Sequence, residues 1–181
     1  MQAAPASVPP LSLRENLRKV FSDHAFYTEA LIAASLPGAN PALAGAVASR
    51  LLRNPGDIAA VVGPYASAAG VASAQALVTE HLQLAAALLP LLRSGSSGLQ
   101  KAVGDFYANG ARLGDALGAA NPGVLSPEAA RAGMQQHNEY VVQLAQQMKA
   151  GQYGAHVATF DAYYDHLMGL ADVLSRALSP R

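Results

Sequence analysis

Apolar residues in this chain recur at three-and-four spacing over long stretches, and nowhere do they alternate with polar residues for the length of a strand. That period favours helices and leaves no room for a sheet. Leu13, Leu17, Val20, Phe21, His24, Tyr27 or Thr28, and Leu31 form one stripe, which predicts a helix over about 11–35. Pro37, Gly38 and Pro41 close it and open a second segment, 41–53. Asn54 before Pro55 reads as an N-cap with an N1 proline, starting a short helix that runs to about Val62 and breaks at Gly63-Pro64.

A long helix over 67–93 carries Val71, Ala74, Val78, His81, Ala85, Leu88 and Leu92, with Pro90 expected to kink or shorten its end. Ser94 to Ser97 reads as a linker. The helix over 99–119 has Leu99, Val103, Phe106, Gly110, Leu113 and Leu117 on one seam, and Asn121-Pro122-Gly123 ends it. Ser126-Pro127-Glu128 starts the next helix, whose stripe is Ala130, Met134, His137, Val141, Leu144 and Met148, stopped by Gly151. The last, 154–178, is expected to bury Val157, Phe160, Tyr164, Leu167, Ala171 and Leu174, with Tyr163, His166, Leu170 and Val173 beside them. The expectation is an all-α chain: an up-down four-helix-type bundle with two additional shorter helices, one domain over 11–181 behind a disordered leader at 1–10.

Composition narrows the function classes. Half of the residues are apolar, yet Trp is absent and aromatics are few, so the core must be Ala, Leu and Val, which suits helices. Charged residues make up 13%, about half the usual share, and so weakly charged a surface predicts cover by a second copy, a homodimer. Formal charge is zero with no basic run, which excludes nucleic-acid binding. Arg50, Arg53 and Arg93 stand singly near helix ends, where they complement the dipole without needing a partner. The absence of Cys removes disulfides, thiolate catalysis, iron–sulfur clusters, c-type haem and cysteine zinc sites.

The start, MQAAPASVPP, has neither a basic nor an apolar region of a signal peptide; it reads as a leader or as the processed start of an exported chain. The uncharged run from Ile58 to Thr79 contains Gly63, Pro64 and Gly70, so no membrane span is expected and the chain reads as soluble.

Chemistry is concentrated in the histidines. His24, His81 and His137 each fall near the middle of a different helix on its apolar stripe, and His166 sits at mid-height in a fourth. Helix midpoints in an antiparallel bundle share one level, so four imidazoles can meet in one internal layer. Such a layer can hold a metal ion, with Asp57, Asp161 or His166 completing the shell of His24, His81 and His137. Imidazoles with carboxylates suit zinc, iron or manganese; imidazoles alone suit zinc or copper. Tyr27, Tyr107, Asn109 and Tyr140 are candidates to hold the other ring nitrogens. Two opposed rings, His24 and His137, could instead grip a haem. The structural alternative is a polar layer that sets helix register. His156, near a helix start, is expected to be exposed.

Enzyme signatures are missing. No Glu or Asp stands three residues before a mid-helix histidine; Asp23, Glu80 and Asp165 directly precede them instead, about 100° away around the helix, which disfavours a di-iron carboxylate site. There is no nucleophile elbow, Walker loop or dinucleotide fingerprint, and Gly104 and Gly110 read as packing positions. Asp161, Asp165 and Asp172 share a face that reads as the solvated side of the last helix. An internal echo pairs Asp23-His24-x-x-Tyr27 with Gln136-His137-x-x-Tyr140, and Glu80-His81-Leu82 with Asp165-His166-Leu167.

Leu13-Arg14, His24-x-x-Tyr27-Thr28, Leu51-Leu52-Arg53-Asn54-Pro55-x-Asp57, Pro64-Tyr65, His81-Leu82, Tyr107-Ala108-Asn109, Asn121-Pro122, His137 and Ala171-Asp172 together span most of the chain. In this set the chain resembles a group of small helical-bundle proteins of spore-forming Firmicutes that has no established activity. It departs from the group at Phe21 and Tyr27, where tryptophans are common, and at Glu29, where Arg is common. The group varies at the position of His166, so the resemblance implies His24, His81 and His137 as the ligands to watch. The leading expectation is a metal-binding bundle, non-enzymatic or redox-related. The alternatives are a structural or interaction bundle with a dimerising face, and a small-molecule binder using the same pocket.

Overall fold

The computed structural model describes residues 11–35 and 39–179. The expected leader at 1–10, and Pro37 and Gly38, lie outside the described residues. Among the described residues there are helices and no strands: α1 (Leu13–Ala34), α2 (Pro41–Leu51), α3 (Asn54–Val62), α4 (Ala68–Ser94), α5 (Leu99–Ala120), α6 (Pro127–Lys149) and α7 (Tyr153–Leu178). Gly63-Pro64-Tyr65 forms a 3-10 turn between α3 and α4. Five helices are long, one more than the four expected, with α2 and α3 as the short pair.

Local chemistry places most ends. Ser12 and Glu15 form a reciprocal capping box on α1, a Ser-x-x-Glu signal present in the sequence. Ser67 and Ser126 cap α4 and α6 by accepting from Gly70 and Ala129. Gly95 and Gly151 stop α4 and α6 with φ of 67° and 70°, the left-handed conformation that favours glycine. Pro90 does not shorten α4, which continues to Ser94.

Long helices that follow one another pack together: α4 on α5, α5 on α6, α6 on α7, and α1 returns to α7. α3 packs on both α1 and α4, so it closes the ring. α6 also touches α1 and α4 with its buried face, while its opposite face is exposed. The core is one cluster built around Leu17, Leu82, Leu88, Phe106, Leu144 and Leu167.

The buried face of α7 differs from expectation. His156, Tyr163, Leu167 and Ala171 face inward, Val157 is exposed, and Phe160 and Tyr164 are half-buried. His156 supplies the reason. Its Nδ1 lies 3.0 Å from the carbonyl oxygen of Leu144 and its Nε2 2.7 Å from Glu29, so the start of α7 is turned to bring that ring inside. The expectation that His156 is exposed is thereby corrected.

α5 meets α6 through glycines one helical turn apart. A Cβ at Gly110 would lie 2.5 Å from the Asn138 side chain, at Gly114 2.7 Å from the Cα of Arg131, and at Gly118 2.6 Å from the Cα of Pro127. Gly104, expected to play the same part, has nothing near it.

α4 alone among the described helices is long and apolar enough to cross a membrane by length and composition. It packs on α3 and α5, and 28% of its apolar window is buried, including His81, Leu82 and Leu88.

Candidate functional site

α1, α4 and α6 bring His24, His81 and His137 together, and all three are buried. His137 sits centrally: its ring centroid is 5.6 Å from His24, 5.3 Å from His81 and 6.0 Å from His166 of α7. The layer expected from helix mid-heights is therefore present, with His166 at its edge. Tyr163, fully buried, lies 5.4 Å from His137, and Phe106 stacks on His81 at 4.6 Å.

Two of the rings are held in the same way. His24 Nδ1 is 3.1 Å from Asn54 Oδ1, and Asn54 Nδ2 donates to the carbonyl oxygen of Val20, one turn before His24. His81 Nδ1 is 2.8 Å from Asn109 Oδ1, and Asn109 Nδ2 donates to the carbonyl oxygen of Leu77, one turn before His81. In each case the backbone carbonyl can only accept, so the amide nitrogen must face it, which orients the amide with its oxygen towards the ring. Nδ1 must then carry the proton, leaving Nε2 as the lone-pair nitrogen. Neither Nε2 has a hydrogen-bond partner among the described residues, and that of His81 is fully enclosed. His137 Nδ1, His166 Nε2, Thr28 Oγ1 and the Tyr163 hydroxyl are likewise buried without a partner. Tyr163 and Thr28 face each other, but not in hydrogen-bonding geometry.

The cost of burying charge keeps these rings neutral. Burial lowers His24 to about 4. Burial, with His24 beside it, lowers His81 to about 4. His137 falls well below the ordinary value through burial first and then its three histidine neighbours, and burial also lowers His166. Tyr163 is pushed the other way by burial, so its phenol stays protonated.

The carboxylates that precede the rings are already engaged. Asp23 accepts from Arg50 at 3.0 Å, and Glu80 accepts from Arg112 at 2.6 Å and from Asn109 at 3.1 Å. Arg50 also lies over the Tyr27 ring at 4.4 Å and reaches Asp57 at 3.5 Å, so it has partners where none was expected.

The other expected site residues spread out. Asn109 holds His81, as its candidacy required. Asp57 pairs with Arg50 and Asp161 is exposed on α7, so neither joins the rings. Tyr27 faces Arg50, Tyr107 meets Phe106 edge-on, and Tyr140 packs on His166 and Tyr163 while its hydroxyl meets Gln136. Asp172, expected on a solvated face, accepts from both Arg14 and Arg18 of α1. Sequence reasoning missed Asn54 as a ring partner, having given it to the helix cap. Arg53 occupies the cap position instead, with no side-chain bond.

A cavity of about 10 Å³ lies among His24, Thr28, His81, Phe106, His137 and Val141, room for one water-sized particle. Among the described residues no three His, Asp or Glu side chains converge in a geometry that holds a metal ion. A scan against known protein families, a search of curated proteins and a search of solved structures each gave no match to this chain.

Proposed function

We propose that this bundle binds a metal ion at its histidine layer, with His24, His81 and His137 as ligands and His166 as the nearest further imidazole. One observation carries the reading: two rings on different helices are each fixed through Nδ1 by a buried asparagine, leaving Nε2 unbonded. Locking one ring nitrogen with an amide or carboxylate oxygen is how proteins orient a metal-binding imidazole. Separations of 5.3 and 5.6 Å between ring centres agree with the spacing of about 5 Å for two imidazoles on one tetrahedral ion. The cavity between them has room for one such particle, and its size argues against the haem and small-molecule alternatives. Zinc, iron and copper all accept imidazole, and a redox-related role follows only for the last two.

Asp57 and Asp161 drop behind His166 in this reading, the first for its arginine and the second for its exposure. The up-and-down course of the four-helix type fits the short turns that join α4 to α7. Kinship with the Firmicutes group belongs to the same proposal, since the positions it shares include Asn54 and Asn109 beside the three histidines. Elemental analysis of protein purified without added metal, together with an absorption spectrum, tests the reading. A bound metal near one per chain that disappears in His137→Ala is the expected result. A metal content near zero, unchanged by the substitution, overturns it.

A second reading is favoured by the lack of convergence of the ring nitrogens on one point among the described residues. In it the layer is a polar register device in a structural or interaction bundle, which dimerises through exposed apolar residues such as Phe26, Leu43 and Val157. Light scattering on a sizing column decides the dimer, and a monomer at high concentration removes it.

A further inference from the structure

We infer that the ion suited to this layer is monovalent copper, Cu(I), rather than a divalent metal. The inference rests on the metal-binding reading and narrows it by charge.

Every polar group that lines the cavity is neutral as built: three imidazoles and the Thr28 hydroxyl, with apolar side chains around them. No carboxylate lines it. Of the two nearest in sequence, Asp23 pairs with Lys19 and with the Arg50 that also reaches Asp57, and Glu80 pairs with Arg112, so they add no net negative charge. The ring nitrogens are backed by neutral amides, Asn54 and Asn109, rather than by the carboxylates that would make them stronger donors to a doubly charged ion.

The cost of bringing an ion into such a place grows with the square of its charge, so a divalent ion costs about four times as much as a monovalent one. A divalent ion can offset this by carrying an anion such as hydroxide. The lining supplies no negative charge, so a divalent ion would have to bring its anion into a pocket walled mainly by apolar side chains. Among monovalent ions, sodium and potassium are hard and want oxygen ligands, which this cavity supplies only through Thr28. Cu(I) accepts two or three imidazoles and needs no further ligand. His137 lying between His24 and His81 offers that number.

The test uses the whole chain, freed of metal and kept under anaerobic conditions. Cu(I) is titrated in competition with bicinchoninate and Zn(II) in competition with a zinc-binding dye, on the wild-type protein and on His137→Ala. The expected result is one Cu(I) per chain, bound at least about tenfold more tightly than Zn(II), and weakened at least about tenfold in the variant. Copper-edge X-ray absorption on the wild-type protein gives a readout that does not depend on the variant folding. It should show two or three nitrogen ligands and no sulfur. Zn(II) bound as tightly as Cu(I), with the same dependence on His137, overturns the charge inference and leaves the metal layer standing. Neither ion bound by the folded wild-type protein overturns both. Sulfur in the copper shell would move the metal to the methionines and overturn the inference as well.

Discussion

An imidazole buried without a partner for its N–H gives up a water hydrogen bond and gets nothing back, so Asn54 and Asn109 matter to stability whether or not a metal binds. Asn109→Leu keeps the volume but strands the His81 Nδ1–H and removes the side-chain donor to the carbonyl of Leu77. It should cost about 1–3 kcal/mol in urea unfolding; a loss below the error of the fit would mean that the pair is not formed. The pH dependence of the metal-free protein follows from the rings themselves. His24 and His81 are held at about 4, below the ordinary histidine value of 6.5, so between those values the unfolded chain binds more protons. Their stabilising contribution is complete above pH 6.5 and is lost as pH falls towards 4, by about 3 kcal/mol for each ring taken alone. Asp172 titrates in a separate window. Arg14 and Arg18 hold it at about 2, so its contribution disappears only as pH drops through the carboxylate range towards that value. A urea midpoint that is level above pH 7 and declines from 6.5 to 4 is expected; a level profile down to pH 5 would show that the rings are not buried as neutral groups. That three histidines meet was legible from stripe position and helix mid-height alone. Their asparagine partners were not, because Asn54 reaches a ring 30 residues away, and local rules for Asn before Pro assign it to the cap.

Helix identities and most helix ends were readable because the signals are local: serine caps, Pro at N1, and glycine where φ turns positive. The side of a helix that faces inward is a tertiary matter. For α7 the stripe rule chose Val157 and Tyr164, whereas the bonds of His156 to Leu144 and Glu29 select the adjacent face. The glycine seam of α5 shows the same limit, since Gly104 and Gly110 look alike in sequence and only the second touches α6. This gives a paired prediction. Gly114→Ala pushes a methyl into the backbone of Arg131, 2.7 Å from its Cα and 2.9 Å from its nitrogen, where no side-chain rotation gives relief. Moving α6 away should cost about 1–3 kcal/mol, more than the gain of up to about 1 kcal/mol in helix propensity. Gly104→Ala meets nothing and should stabilise by up to about 1 kcal/mol. Thermal unfolding of the two variants beside the wild-type chain checks the sign. Equal shifts would mean that α5 and α6 are further apart than the seam requires.

Around the whole molecule the apolar face is covered unevenly. α6 buries residues from Ala130 to Ala145, and α1 buries them along most of its length. α2 buries only Leu51, and the buried residues of α4 begin at His81, thirteen residues after its start. Segments with little burial open locally at a free energy below that of global unfolding. Amide hydrogen exchange should therefore be fast in α2 and in Ala68–Glu80, and slowest in α5, α6 and the second half of α4, where loss of protection requires the core to open. The same measurement bears on the homodimer expected from the weakly charged surface. If a second copy covers the thinly packed helices, their protection must rise with protein concentration while that of α6 stays constant. Protection in α2 and the first half of α4 that equals that of α6 at low concentration would contradict the uneven burial itself. Protection there that stays low at every concentration would leave those helices uncovered and remove them from any dimer interface.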